Sequence, residues 1–96
     1  MRLANKRPST TPGRRLRDAR HRLGLTLRGV DAQSMRIATE LKDRRFAVPY
    51  SRLNDLERKN SVPSVFRIYM LARIYRRRIR QVLAWYGVPT RIRATR

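Results

Sequence analysis

Wherever apolar residues gather in this chain they recur three and four apart, and nowhere do they alternate with polar residues at a period of two. That spacing builds helices and excludes sheets, so the expected fold class is all-α. Leu16, Ala19 and Leu23 set a first helix over 13–23, stopped by Gly24 at the position where a left-handed residue is favoured. Thr26 is placed to cap a second helix that starts at Leu27 and runs through Val30 toward Ser34. Over 35–46 the helical spacing continues at Ile37, Ala38 and Leu41, with Glu40 and Arg44 four apart. That segment is either an extension of the second helix or a short extra one, ending near Arg45. Pro49 suits the first position of a third helix over 49–58, in which Leu53 and Leu56 repeat. Ser61 or Ser64, with Pro63, announces a fourth, with Val65, Ile68, Leu71, Ala72 and Tyr75 at core spacing. Ile79, Val82, Leu83 and Tyr86 repeat in a fifth that Gly87 ends. Residues 1–12 and 88–96 lack periodicity and read as a flexible basic N-terminal arm and a basic C-terminal tail around one domain at 13–87.

The length of 96 residues allows one domain with a modest core. Twenty-five Lys and Arg against six Asp and Glu give a formal charge of +19, which attracts polyanions, nucleic acid first among them. Most of the cations are Arg, whose planar fork suits phosphate and guanine, although an Arg-rich genome would bias usage the same way. A hydrophobic share of 41% is too high for a disordered basic tail. No Cys is present, which excludes disulfides, thiolate metal sites and Cys nucleophiles. No apolar run approaches the ~20 residues that span a bilayer, so a soluble, cytoplasmic protein is expected. His21 stands alone on the polar side of the first helix, and no triad or paired-carboxylate spacing is visible. No enzyme activity, metal or cofactor is therefore expected.

Two charges sit where apolar residues belong. Glu57 continues the row of Leu53 and Leu56, and Arg20 lies beside the face of Leu16, Ala19 and Leu23. A half-buried carboxylate and a half-buried guanidinium in one small core are best explained as partners, because either alone would cost several kcal/mol in desolvation. An Arg20–Glu57 bridge fixing the angle between helices one and three is expected, with escape of both side chains to solvent as the alternative.

The order LRDARHRLGLTL, then a helix, then VPYSRLNDLERKNSVPS, then FRIYMLARIYRRRIRQVLAWYG resembles the lambda-repressor-like helix-turn-helix family, also called Xre or Cro-like, over 13–87. Arg20, Gly24, Leu25 and Thr26 match the family's R-x-x-x-G-L-[ST] pattern, and Glu57, Arg58, Pro63 and Ser64 match most of its E-R-G-x-x-x-P-S pattern. The resemblance implies a five-helix DNA-binding domain whose recognition helix spans about 49–58, held by a bridge between the matching Arg and Glu. It further implies a regulator of transcription at a prokaryotic nucleoid. The chain departs from the family pattern at Asp31, where the family has a small residue, and at Lys59, where it has Gly. A third departure is an insertion over 35–47 between helices two and three, in place of a tight turn. Asn60 can supply the left-handed residue that Lys59 does not.

With such a helix in a major groove, the side opposite Leu53 and Leu56 carries Tyr50, Ser51, Asn54, Asp55 and Arg58 toward the bases. By resemblance Tyr50, Ser51 and Asp55 sit where the family reads bases. By chemistry Asn54 can pair with adenine, and Asp55 can accept from a cytosine amino group or balance Arg58 or Arg52. Arg14, Arg15, Arg17, Arg28, Lys59, Asn60 and Ser61 are candidate backbone-phosphate contacts. The arm, with Arg2, Lys6 and Arg7, is either a minor-groove reader or a solvated tail.

Phe66, Met70 and Ile74 form a second apolar stripe on helix four. It is covered either by Ile37, Ala38 and Leu41 of the insertion or by a second subunit, with Trp85 and Tyr86 adding to either cover, so these five are the candidate homodimer interface. The leading functional expectation is a sequence-specific double-stranded DNA-binding regulator. The alternatives are an antitoxin-like protein-binding module, which would hold a protein partner, and a general RNA-binding basic protein. Membrane binding is disfavoured because cations surround every helix.

Overall fold

A computed structural model describes residues 10–92. Within them the chain forms five helices and no strand: α1 Pro12–Arg22, α2 Leu27–Leu41, α3 Tyr50–Arg58, α4 Val65–Tyr75 and α5 Ile79–Trp85, with a 3-10 turn at Arg44–Phe46. Most of the arm, including Arg2, Lys6 and Arg7, lies outside the described residues, as do residues 93–96 of the tail. No described helix is long and apolar enough to cross a membrane.

The helix ends follow local capping chemistry. Thr11, Thr26 and Ser64 each accept a hydrogen bond through the hydroxyl from the backbone N–H three residues on, at 3.2, 2.9 and 3.2 Å. Thr11 lies inside the expected arm, so α1 begins at Pro12, ahead of the expected boundary. Gly24 and Gly87 take left-handed conformations just past α1 and α5, as expected, and Asn60 does the same after α3 at φ 56. Pro49 is the residue before α3 rather than its first helical residue.

In the 35–47 segment residues 35–41 extend α2, and Arg44–Phe46 form the separate 3-10 turn. The extension stops at Leu41, short of Arg45, because Lys42 turns left-handed at φ 57 and Asp43 caps the 3-10 turn by accepting from Arg45 N–H at 3.0 Å. The chain then descends through buried Ala47 and Val48 to reach α3.

One core gathers Leu16 and Ala19 of α1, Val30 and Ile37 of α2, Val48, Leu53 and Leu56 around α3, and Met70, Leu71, Ile74 and Tyr75 of α4. Ile68 and Ala72 pack with Val82 of α5 in a smaller cluster. Four residues placed at core spacing are instead exposed: Leu23, Leu41, Val65 and Ile79. Each is at or just past a helix end, where the row leaves the packed face. Met70 and Ile74, expected at a candidate subunit interface, are buried within the chain, and Phe66 packs edge-on to Phe46 at 5.3 Å. Trp85 and Tyr86 pack partly against both clusters. The 35–47 segment therefore covers the stripe through Ile37 and Phe46, while Leu41, also expected in that cover, is exposed, and Met70 and Ile74 are unavailable to a second subunit.

Candidate nucleic-acid interface

Helix α3 is held at both ends by its neighbours. At its start, Pro49 offers no capping side chain, and Asp31 of α2 supplies one: its Oδ2 accepts from Tyr50 N–H at 2.9 Å. A carboxylate there also meets the positive end of the α3 dipole. One turn on, buried Ser34 accepts from Val48 N–H at 2.9 Å and donates to the Asp31 carbonyl at 2.8 Å. Asp31, noted from the sequence only as a departure from the expected pattern, thus positions α3, and the chain that leaves α2 returns to the same two residues.

At the far end, Arg20 Nε and Nη2 donate to Glu57 Oε2 and Oε1 at 2.7 and 2.8 Å, and Nη1 donates to the Leu25 carbonyl at 3.0 Å. The expected pair is present, nearly fully buried and bidentate. The bond that Arg20 donates to Glu57 holds the Arg20 pKa above the ordinary guanidinium value. Beside it the N-terminus of α1 abuts the C-terminus of α3. Gly13 N–H donates to Asn60 Oδ1 at 2.9 Å, and a Cβ on Gly13 would overlap the carbonyl oxygens of Leu56 and Glu57.

What α3 leaves outside is a short ridge. Tyr50, Ser51 and Arg58 are exposed, and Asn54 and Asp55 half-buried. Asp55 lies 3.6 Å from Lys59, an i, i+4 pair that answers part of its charge, rather than beside Arg58 or Arg52. Arg28 stacks over the Tyr50 ring at 4.2 Å, so it extends the ridge instead of standing apart as a lone phosphate contact.

Between α1 and α3 runs a cleft of about 530 Å³ whose lining includes Arg14, Arg17, Asn54 and Arg58. Of the other candidate phosphate contacts, Arg15 is not brought to this cleft; it faces Gln81 and Trp85 across a groove toward α5. Asn60 has committed its side-chain oxygen to Gly13, and Ser61 is half-buried beyond it. No group of three or more His, Asp or Glu able to hold a metal occurs among the described residues.

No protein-family model, curated protein or solved structure matches the chain.

Sequence reasoning missed Gly13, Asp31 and Ser34, which join the Arg20–Glu57 pair in setting where α3 sits. A polar residue in the buried row of α2 was the available signal for Ser34. No such signal exists for Gly13, whose constraint comes from another helix.

Proposed function

We propose that this chain is a sequence-specific double-stranded DNA-binding regulator that presents α3 to the major groove. The observation that carries this reading is the outer ridge of α3, polar and pinned at both ends, with Arg14, Arg17 and Arg58 beside it and no carboxylate paired to any of the three among the described residues. A rigid helix with hydrogen-bonding side chains outward can read base edges, and flanking guanidinium groups can hold phosphates. Asn54 serves adenine and Asp55 a cytosine amino group, while Arg14 and Arg17 supply affinity without sequence preference. A homodimer on two half-sites would use a surface other than Met70 and Ile74.

The test is selection of bound duplexes from a random double-stranded pool at about 150 mM salt, where phosphate-only binding is weakened, with RNA as competitor. An enriched motif is expected, with one or two half-sites reporting the number of copies bound. Asn54→Ala should then lose discrimination between sequences, and Arg14→Ala should weaken all DNA alike, with a salt slope shallower by about one unit. Absence of enrichment, or displacement by RNA, would overturn the reading.

A further inference from the structure

The 35–47 excursion borders a half-open hollow outside the ridge of α3. Between α2, the segment descending to α3 and Arg67 of α4 lies a cavity of about 430 Å³, floored by Met35, Ala38, Ala47 and Pro49. Met35 remains 49% exposed, an apolar side chain with a cavity beside it. This volume falls in the range that holds small organic ligands.

Three cations stand at its edge, Lys42, Arg44 and Arg67, and none makes an ion pair among the described residues. The one acid in the lining, Asp43, is already taken by Arg45 at 2.7 and 3.0 Å. Arg67 decides the chemistry. Its Nε donates to the Ala47 carbonyl at 2.9 Å, which fixes the guanidinium at the cavity wall and leaves both Nη groups without an acceptor among the described residues. Burial lowers its pKa, and the charge of Arg52 lowers it further. The guanidinium is thus partly desolvated, repelled by a neighbour and unanswered by any carboxylate, a cost that a bound anion would remove.

We propose that this cavity binds a small organic monocarboxylate, with its carboxylate on the Nη edge of Arg67 and its apolar body against Met35, Ala38 and Pro49. A planar carboxylate matches the guanidinium fork in two parallel hydrogen bonds. A phosphate dianion would lose more hydration on entering an apolar cavity, which favours the singly charged group. The site shares no residue with the outer ridge of α3.

The experiment is calorimetric titration of the full chain with 3-phenylpropionate, in about 150 mM NaCl so that general attraction to the positive surface is screened. Acetate carries the charge without the body, and 3-phenylpropanol the body without the charge. Saturable binding of 3-phenylpropionate at one site is expected, about tenfold or more tighter than either control. Thr39→Trp, a change at an exposed helical position on the cavity wall, should abolish that binding, and Arg67→Gln should weaken it by about tenfold. Equal affinity for acetate and 3-phenylpropionate, or unchanged binding in Thr39→Trp, would overturn the proposal. If Arg67→Gln does not fold, Thr39→Trp with intact helical circular dichroism decides alone.

Discussion

A methyl group on Gly13 would press into the carbonyls of Leu56 and Glu57, and these are backbone atoms that cannot swing aside. Gly13→Ala should therefore push the N-terminus of α1 away from α3, at a cost of about 3 kcal/mol in urea unfolding. A loss below about 0.5 kcal/mol would show that the two helix ends do not meet this closely. Tyr75 and Tyr86 pose the opposite problem, for both bury a hydroxyl with no hydrogen-bond partner among the described residues. Burial raises both pKa values, that of Tyr86 to about 12 and that of Tyr75 further, with the nearby Glu57 adding to the latter. The neutral form is thus favoured in the folded state. Its contribution is complete below the unfolded value near 10 and is lost as pH climbs through the folded values. Stability should hold from pH 7 to about 9 and then fall, with Tyr75 accounting for up to about 1.4 kcal/mol per pH unit. Tyr75→Phe should flatten that decline and at pH 7 leave stability equal or higher by about 1 kcal/mol, since no bond is given up. Paired urea melts of the two proteins across pH 7 to 11 make the comparison, and a marked loss at pH 7 would reveal a partner for the hydroxyl.

Among elements, α3 depends on chemistry that belongs to other helices. Asp31→Ala removes the acceptor for Tyr50 N–H and should cost about 1 kcal/mol. Because the effect falls at the start of α3, amide exchange should quicken at Tyr50 and Ser51 while the α4 amides keep their protection. Uniform loss across all helices would refute a local role. This dependence explains what the sequence disclosed and what it hid. Thr26, Ser64 and Gly24 were legible because each acts on its own helix within a few residues. The Arg20–Glu57 pair was legible across 37 positions because each charge interrupts an otherwise apolar row. Asp31 acts nineteen residues away on a helix whose own N-cap is a proline, and nothing in its neighbourhood points there. Val65 and Ile79 were misplaced because spacing does not record where a helix stops touching its neighbours. The ridge of α3 was readable as a set of residues, but the turning of Arg15 toward α5 and the stacking of Arg28 on Tyr50 depend on three-dimensional packing.

Across the whole molecule five of the six acids have a partner within the chain, only Glu57 in a buried pair. Glu57, Glu40, Asp43 and Asp55 pair with cations, and Asp31 caps α3, so the formal +19 is carried by a surface with little to offset it. Self-repulsion of that size opposes compaction. The melting temperature should rise by several degrees as NaCl increases from low to physiological strength, and rise further with sulfate or, under the proposed DNA binding, with a short duplex. A melting temperature indifferent to salt would show that the cations are too far apart to matter.

The return of the chain to Asp31 and Ser34 has a consequence for how this segment can change over generations. Because the same side of α2 anchors both Val48 and Tyr50, residues gained around 42–46 would lengthen a closed detour without re-aiming the helix that follows. Shortening is not equivalent, since Ile37 and Phe46 roof Met70 and Phe66, and their loss would open the core. The detour is therefore a one-way door for variation: descendants can elaborate it freely and trim it only by redesigning α4.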